Sequence, residues 1–128
     1  MKSLLSKLPE VQGTYSEDDS MAFHTWFGVG GPADIIFCPA DEKDLLKFLT
    51  MCPKDIPITP IGAGSNLLVR DGGIAGVVVK VSENVTTIYH EGTRVIAGAG
   101  ATDAAVARYA QKAGIAGLEF LIGIPGTI

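Results

Sequence analysis

The sequence predicts an α+β domain. Three observations carry this: a strand–helix–strand pattern between Asp34 and Ile61, a run of short β-prone segments after it, and one later helix stopped by glycine. At 128 residues the chain has the length of one domain and can bury about two-thirds of the surface its unfolded form exposes. Hydrophobic residues make up 47% and charged ones 19%, a balance that favours a packed core over disorder.

Residues 1–20 read as an N-terminal lead-in, polar from Thr14 to Ser20, ahead of a domain over residues 21–128. Asp34–Cys38 is short and β-prone, bounded by Gly30-Gly31-Pro32 and Pro39. Asp41 is placed to cap a helix, with Asp44 completing an approximate capping box. Leu45, Leu46, Phe48, Leu49 and Cys52 follow at helical spacing, and Pro53 ends the segment. Ile56–Ile61 reads as a strand that Pro57 and Pro60 confine to an edge or irregular position. Leu67–Val69 and Val77–Val81 read as further strands. Thr86–His90 and Arg94–Ala97 flank Glu91-Gly92-Thr93, a hairpin signal. A second helix runs from about Asp103 to Ala113, capped by Thr102 and ended by Gly114, with Ala105, Val106, Tyr109, Ala110 and Ala113 on its apolar face.

Several function classes drop out on composition. The formal charge of −4 leaves no basic surface for a nucleic-acid backbone. No apolar run approaches the ~18 residues of a membrane span. Lys2 and Lys7 flank too short an apolar stretch for a signal peptide, which points to the cytoplasm. Cys38 and Cys52, the only cysteines, fit neither a zinc pattern nor a secreted disulfide framework and read as inert thiols. His24 and His90 sit in no metal-ligating or nucleophile-pairing motif, so no metal site is expected. Trp26 and Phe27 read as core. The apolar ending Leu121–Ile128 suggests a piece of something longer.

Glycine is the outlier, at 16 of 128 residues against a usual ~7%. The strongest local signal is Ile61-Gly62-Ala63-Gly64-Ser65-Asn66-Leu67. Two glycines let successive N–H groups converge on an anion, Ser65 and Asn66 add donors, and no acidic residue lies between Pro60 and Val69. Spacing alone supports a tight strand-to-strand turn equally well. The loop lacks the Gly-Lys-Ser/Thr ending of a P-loop, and Leu67 replaces the third glycine of a dinucleotide fingerprint. Gly98-Ala99-Gly100 leads from a strand into a helix, but Asp103 stands where a third glycine belongs and reads as a helix-start residue. In Gly117–Thr127, Pro125 fixes the backbone of Gly123-Ile124-Pro125-Gly126, and Glu119 reads as a loop or helix-face carboxylate.

Taken together, His24–Asp34, Pro60–Gly76 and Gly114–Thr127 resemble, in order, the N-terminal region of the UDP-N-acetylenolpyruvoylglucosamine reductase family. The resemblance covers nearly everything from Phe23 onward. It implies an FAD-binding domain of the vanillyl-alcohol-oxidase (PCMH) type, with a small α/β lobe, an antiparallel β lobe and the cofactor between them. On that resemblance Gly62, Ala63, Gly64, Ser65 and Asn66 cradle the FAD diphosphate, with Ile61 and Leu67 beside them as cofactor-binding residues. Ala99, Gly100, Gly123, Ile124, Pro125, Gly126 and Thr127 line the rest of the cofactor. The loop has no histidine, so FAD is expected to be held non-covalently.

The implied activity is that of a UDP-N-acetylmuramate dehydrogenase. Hydride from NADPH reaches, by way of FAD, the methylene carbon of UDP-N-acetylglucosamine enolpyruvate, and protonation then gives UDP-N-acetylmuramate for peptidoglycan. The family's proton-donating Ser and enolate-stabilising Arg and Glu fall beyond Ile128, so no catalytic residue carries over and the 128 residues alone are expected to be inactive. Trp26 departs from the smaller residue usual in the family. Two other readings stay open: another FAD-dependent oxidoreductase of the same fold, and a nucleotide-binding module without redox chemistry.

Overall fold

The computed structural model describes residues 3–128; Met1 and Lys2, and with them one of the two lysines of the signal-peptide argument, lie outside the described residues. A 3-10 turn over Leu4–Lys7 leads to β1 (Thr14–Ser20), which pairs antiparallel with β2 (Pro32–Cys38), from Thr14 opposite Cys38 to Ser20 opposite Pro32. Helix α1 (Glu42–Met51) returns the chain to β3 (Ile58–Ile61). Then β4 (Ile74–Lys80) inserts between β2 and β3, parallel to both, giving one sheet in the order β1-β2-β4-β3. A hairpin of β5 (Ile88–Glu91) and β6 (Arg94–Ala97) precedes α2 (Asp103–Lys112) and a 3-10 turn over Glu119–Gly123. The α+β class holds, and β5–β6 is the antiparallel element beside the mixed sheet.

Alternation along the central strands explains why both sheet faces are covered. Ile35, Phe37, Val77 and Val79 point to one side and pack with Phe48, Cys52 and Ile56 beneath α1. Ile36 and Val78 point to the other and, joined by Ala33 across a break in register before Ile35, meet Met21, Ile61 and Val69. Strands buried on both faces must read as continuous apolar runs, and Val77-Val78-Val79 does.

Both helices start and stop where local chemistry says they should. Asp41 accepts from Asp44 N–H at 2.8 Å, and Thr102 accepts from Ala105 N–H at 3.1 Å. Gly114, at φ +73°, lets Gly114 and Ile115 N–H close on Gln111 and Ala110 carbonyls past the end of α2. Tyr109 reaches back from α2 to the hairpin, its hydroxyl 2.6 Å from His90 Nδ1. Both cysteines are free, and burial pushes both thiols up, away from the reactive thiolate.

Four expectations are corrected. Residues 14–20 are not a lead-in but the edge strand of the sheet, held by backbone pairing that a polar sequence does not prevent; Leu4, Leu5, Leu8 and Val11 also pack on the α1-side core. Leu67–Val69 is no strand: Val69 is buried against the second core while Gly31 N–H donates to Arg70 O at 3.0 Å. Asp44 does not close a capping box, because its carboxylate is taken by Gln12, Gly13 and Ala40 N–H. Trp26 and Phe27 are exposed, Trp26 by 68%, rather than core. On α1, Leu46 and Leu49 are likewise exposed, since Phe48 and Cys52 already fill the seam with the sheet.

Candidate functional site

The loop Gly62–Asn66 leaves the C-terminal end of β3, the end at which open parallel sheets place their ligands. Ile61 anchors it: its side chain is buried, and its carbonyl accepts from Val81 N–H at 3.1 Å. Gly64 has φ +70°, and a β-carbon there would overlap the carbonyl oxygen of His24; the Gly64 carbonyl in turn accepts from Trp26 N–H at 3.1 Å. Backbone packed directly behind the loop is thus what demands glycine at this position.

The chain's last residues form the facing wall. Asn66 Nδ2 donates to Pro125 O at 3.3 Å, and Thr102 and Thr127 form an antiparallel bridge. Asp103 N–H donates to Gly126 O and Ile128 N–H to Ala101 O, each at 3.0 Å. A β-carbon on Gly62 would overlap Thr127 Oγ1. The two walls enclose an open cleft of about 370 Å³.

Of the residues singled out from the sequence, Ile61, Gly62, Ala63, Gly64, Ser65, Asn66, Leu67, Ile124, Pro125, Gly126 and Thr127 all line this cleft. Ala99, Gly100 and Gly123 do not. Gly100 is buried, and a β-carbon there would overlap the Val81 carbonyl oxygen; Ala99 is exposed, and Gly123 ends the Glu119–Gly123 turn in the open. Gly98 borders a different cleft of about 380 Å³, between Asp41–Lys43 and the hairpin. Glu119 serves its own loop, accepting from Gly117 N–H at 2.9 Å. Sequence reasoning passed over Asp103 as a site residue. It lies in the cleft wall and is only 6% exposed. A carboxylate one residue past a helix cap resembles ordinary helix-start chemistry, so nothing local marks it.

Backbone donors separate the glycine segments. Among the described residues, no N–H from Gly62 to Asn66 donates to a protein acceptor, whereas those of Gly98, Gly100 and Ala101 are bonded to Thr87, Val85 and Gly98 carbonyls. Five unengaged amides on a glycine loop that also carries Ser65 and Asn66, with no cationic group in the cleft wall, suit a phosphate held by backbone donors. Among the described residues only the Ala99 N–H of that segment is left unbonded, so the Gly98–Gly100 turn offers no convergent set of donors. Among the described residues no cluster of three or more His, Cys, Asp or Glu could hold a metal ion, and no helix is long and apolar enough to cross a membrane.

The Gly62–Thr127 contact gives a direct check that the two walls meet. Gly62→Ala is expected to destabilise the fold by about 1–3 kcal/mol, the usual cost of overpacking. In a Thr127→Ala background most of that cost should vanish, because the opposing hydroxyl is gone. A denaturant double-mutant cycle in which the two changes simply add would place the walls apart.

Comparison with known proteins adds to this geometry. A family model described as FAD binding domain matches residues 33–128. The chain is 53% identical over 127 residues to UDP-N-acetylenolpyruvoylglucosamine reductase of Maricaulis maris, covering 98% of this chain and 40% of that protein. It is 54% identical over 123 residues to the reductase of the same name from Phenylobacterium zucineum, covering 95% and 41%. Among solved structures, the UDP-N-acetylenolpyruvylglucosamine reductase of Thermus caldophilus aligns with TM-score 0.64 and 28% identity over 92% of this chain and 40% of its own. Cholesterol oxidase from Brevibacterium sterolicum aligns with TM-score 0.55 and 20% identity over 83% of this chain and 22% of its own, a likeness of fold. The chain spans about 40% of the length of the curated relatives it matches.

Proposed function

Since this chain belongs to the FAD binding domain family, we propose that it forms the FAD-holding part of a reductase acting on UDP-N-acetylglucosamine enolpyruvate. The product is UDP-N-acetylmuramate, NADPH is the hydride donor, and the setting is peptidoglycan precursor synthesis in the cytoplasm. One observation carries the reading: the Gly62–Asn66 loop, with its amides unengaged, faces the Ile124–Thr127 wall across a cleft at the carboxyl end of β3. The proposed unit includes β1, since removing residues 14–20 would strip the sheet of its edge.

The residues present fit the cofactor's diphosphate. The N–H groups of Gly62–Asn66 would donate to its oxygens, with Ser65 Oγ and the second N–H of Asn66 Nδ2 beside them. Each hydrogen bond to a charged oxygen is worth about 1.5–3 kcal/mol, so two or three hold the group without a lysine. Ile124, Pro125 and Thr127 would flank the group on the opposite side. When bound, FAD supplies two-electron hydride chemistry that side chains lack. The Arg, Ser and Glu that the family resemblance assigns to the proton-transfer step have no counterparts in these 128 residues.

The test uses protein expressed from its whole reading frame. A flavin absorbance spectrum that bleaches with NADPH and recovers on adding UDP-N-acetylglucosamine enolpyruvate is the expected result. Bleaching without recovery would point to a different FAD-dependent oxidoreductase of this fold. A colourless protein that takes up no added FAD would overturn the reading and leave a nucleotide-binding module without redox chemistry.

A further inference from the structure

The diphosphate leaves one group of the cleft wall without a partner. We propose that the Asp103 carboxylate is a ligand-binding residue, accepting a hydrogen bond from a sugar-type hydroxyl next to the diphosphate; this rests on the FAD reading above and extends it to a residue outside the phosphate loop.

Asp103 is the first residue of α2, yet its side chain is not spent on the helix. The capping bond is made by Thr102 Oγ1, and the Asp103 N–H goes to Gly126 O. Among the described residues no hydrogen bond or ion pair reaches its carboxylate, although the residue is 6% exposed and borders the cleft. Neither carboxylate oxygen is fully buried, so what remains open on this otherwise covered side chain is the side from which a donor can come, and the residue borders the cleft.

The surroundings define that donor. A β-carbon placed on Gly126 would stand 2.9 Å from Ser65 Oγ, 3.9 Å from Asn66 Nδ2 and 4.0 Å from Asp103 Oδ2. Two donors of the phosphate loop and one anionic acceptor therefore converge on a bare α-carbon. Phosphate itself is the wrong partner for Asp103, because like charges repel. A metal ion is also wrong, because Asp103 is the only His, Cys, Asp or Glu in the cleft wall. A hydroxyl fits, since it donates to the carboxylate and brings no negative charge of its own. FAD carries such hydroxyls on both flanks of its diphosphate, on the adenosine ribose and on the ribityl chain. Asp103 then also keeps the diphosphate over the Gly62–Asn66 amides and off the N-terminus of α2, where its charge disfavours a second anion.

The experiment measures dissociation constants of FAD, ADP and FMN for the whole-reading-frame protein and for its Asp103→Asn and Asp103→Ala variants. Thermal unfolding of the ligand-free proteins is recorded alongside; Asn keeps the shape should Ala fail to fold. Both substitutions should weaken FAD about tenfold or more. A parallel loss for ADP with FMN unchanged assigns the ribose hydroxyl, and the converse assigns the ribityl hydroxyl. Variants that bind FAD as tightly as the parent, or more tightly, would overturn the proposal. So would an equal loss for FAD, ADP and FMN together with a lowered unfolding temperature, which would mark a general structural effect. A parent protein that takes up no FAD would instead sink the FAD reading, and this inference with it.

Discussion

Asp44→Ala is expected to destabilise the fold by about 3 kcal/mol or more, a large share of the roughly 5–15 kcal/mol that holds such a domain together. Asp44 is 4% exposed, and its carboxylate accepts from Gln12 N–H at 2.9 Å, Gly13 N–H at 2.8 Å and Ala40 N–H at 3.0 Å. Alanine leaves those three donors without an acceptor, each at about 1 kcal/mol or more. It also unties the segment before β1 from the start of α1. Thermal unfolding should show a drop on the order of 10 °C; a shift under 2 °C would mean that the three bonds contribute little.

The same carboxylate sets an acid limit. Burial alone would push Asp44 up, but the Ala40, Gln12 and Gly13 N–H groups, aided by Lys47, hold it below the usual carboxylate value. A folded-state pKa below the unfolded one means that the unfolded chain binds the proton first. The stabilisation is therefore fully present above the unfolded value near 3.9 and is lost as pH falls through the lower folded value. The gap in stability between the parent and Asp44→Ala should be constant near neutral pH and narrow below about pH 4.

Gly64→Ala should cost at least about 3 kcal/mol and abolish measurable FAD uptake. The left-handed backbone at φ +70° alone penalises a β-carbon by roughly 1–2 kcal/mol, and that carbon also meets the His24 carbonyl, which is backbone and cannot rotate aside. Relief requires the His24–Trp26 segment to retreat, which breaks the Trp26 N–H bond to Gly64 O and tilts the loop amides away from the cleft. Gly64→Val should do the same with a larger loss. Parent-like unfolding together with parent-like FAD affinity in Gly64→Ala would show that the loop does not hold the backbone described here. The contrast with Gly62 is informative: its obstacle is a side chain, so a second substitution rescues it, whereas none is expected to rescue Gly64.

Much of the molecule was legible before folding because it rests on neighbours in sequence. The Asp41 and Thr102 caps, the Gly114 stop, the Gly92 hairpin turn and the apolar runs of β2 and β4 are decided within a few residues, where sterics and local hydrogen bonding dominate. The candidate cleft was legible in its two chain segments, Ile61–Leu67 and Ile124–Thr127, because glycine and proline patterns expose unusual backbone. Gly98–Gly100 carries the same signal but lies outside this cleft. Its glycines make room for the Val81 and Val85 carbonyls, and a glycine signal does not say whether protein or ligand will fill the space.

By itself, then, the sequence determined the helix ends, the turns, the central strands and the two glycine-bearing walls. Tertiary structure alone decided that polar residues 14–20 become an edge strand, that Asp44 serves amides some thirty residues away, and that Trp26 faces solvent. It also turned Asp103 from a helix-start residue into part of the cleft, and left the Gly62–Asn66 amides free while engaging those of Gly98, Gly100 and Ala101. The division has one physical cause. A cap or a turn is satisfied by groups that chain connectivity already holds close. The partner of a strand edge, a buried carboxylate or a loop amide is set by which distant segments the β1-β2-β4-β3 order brings together, and local periodicity carries no record of that order.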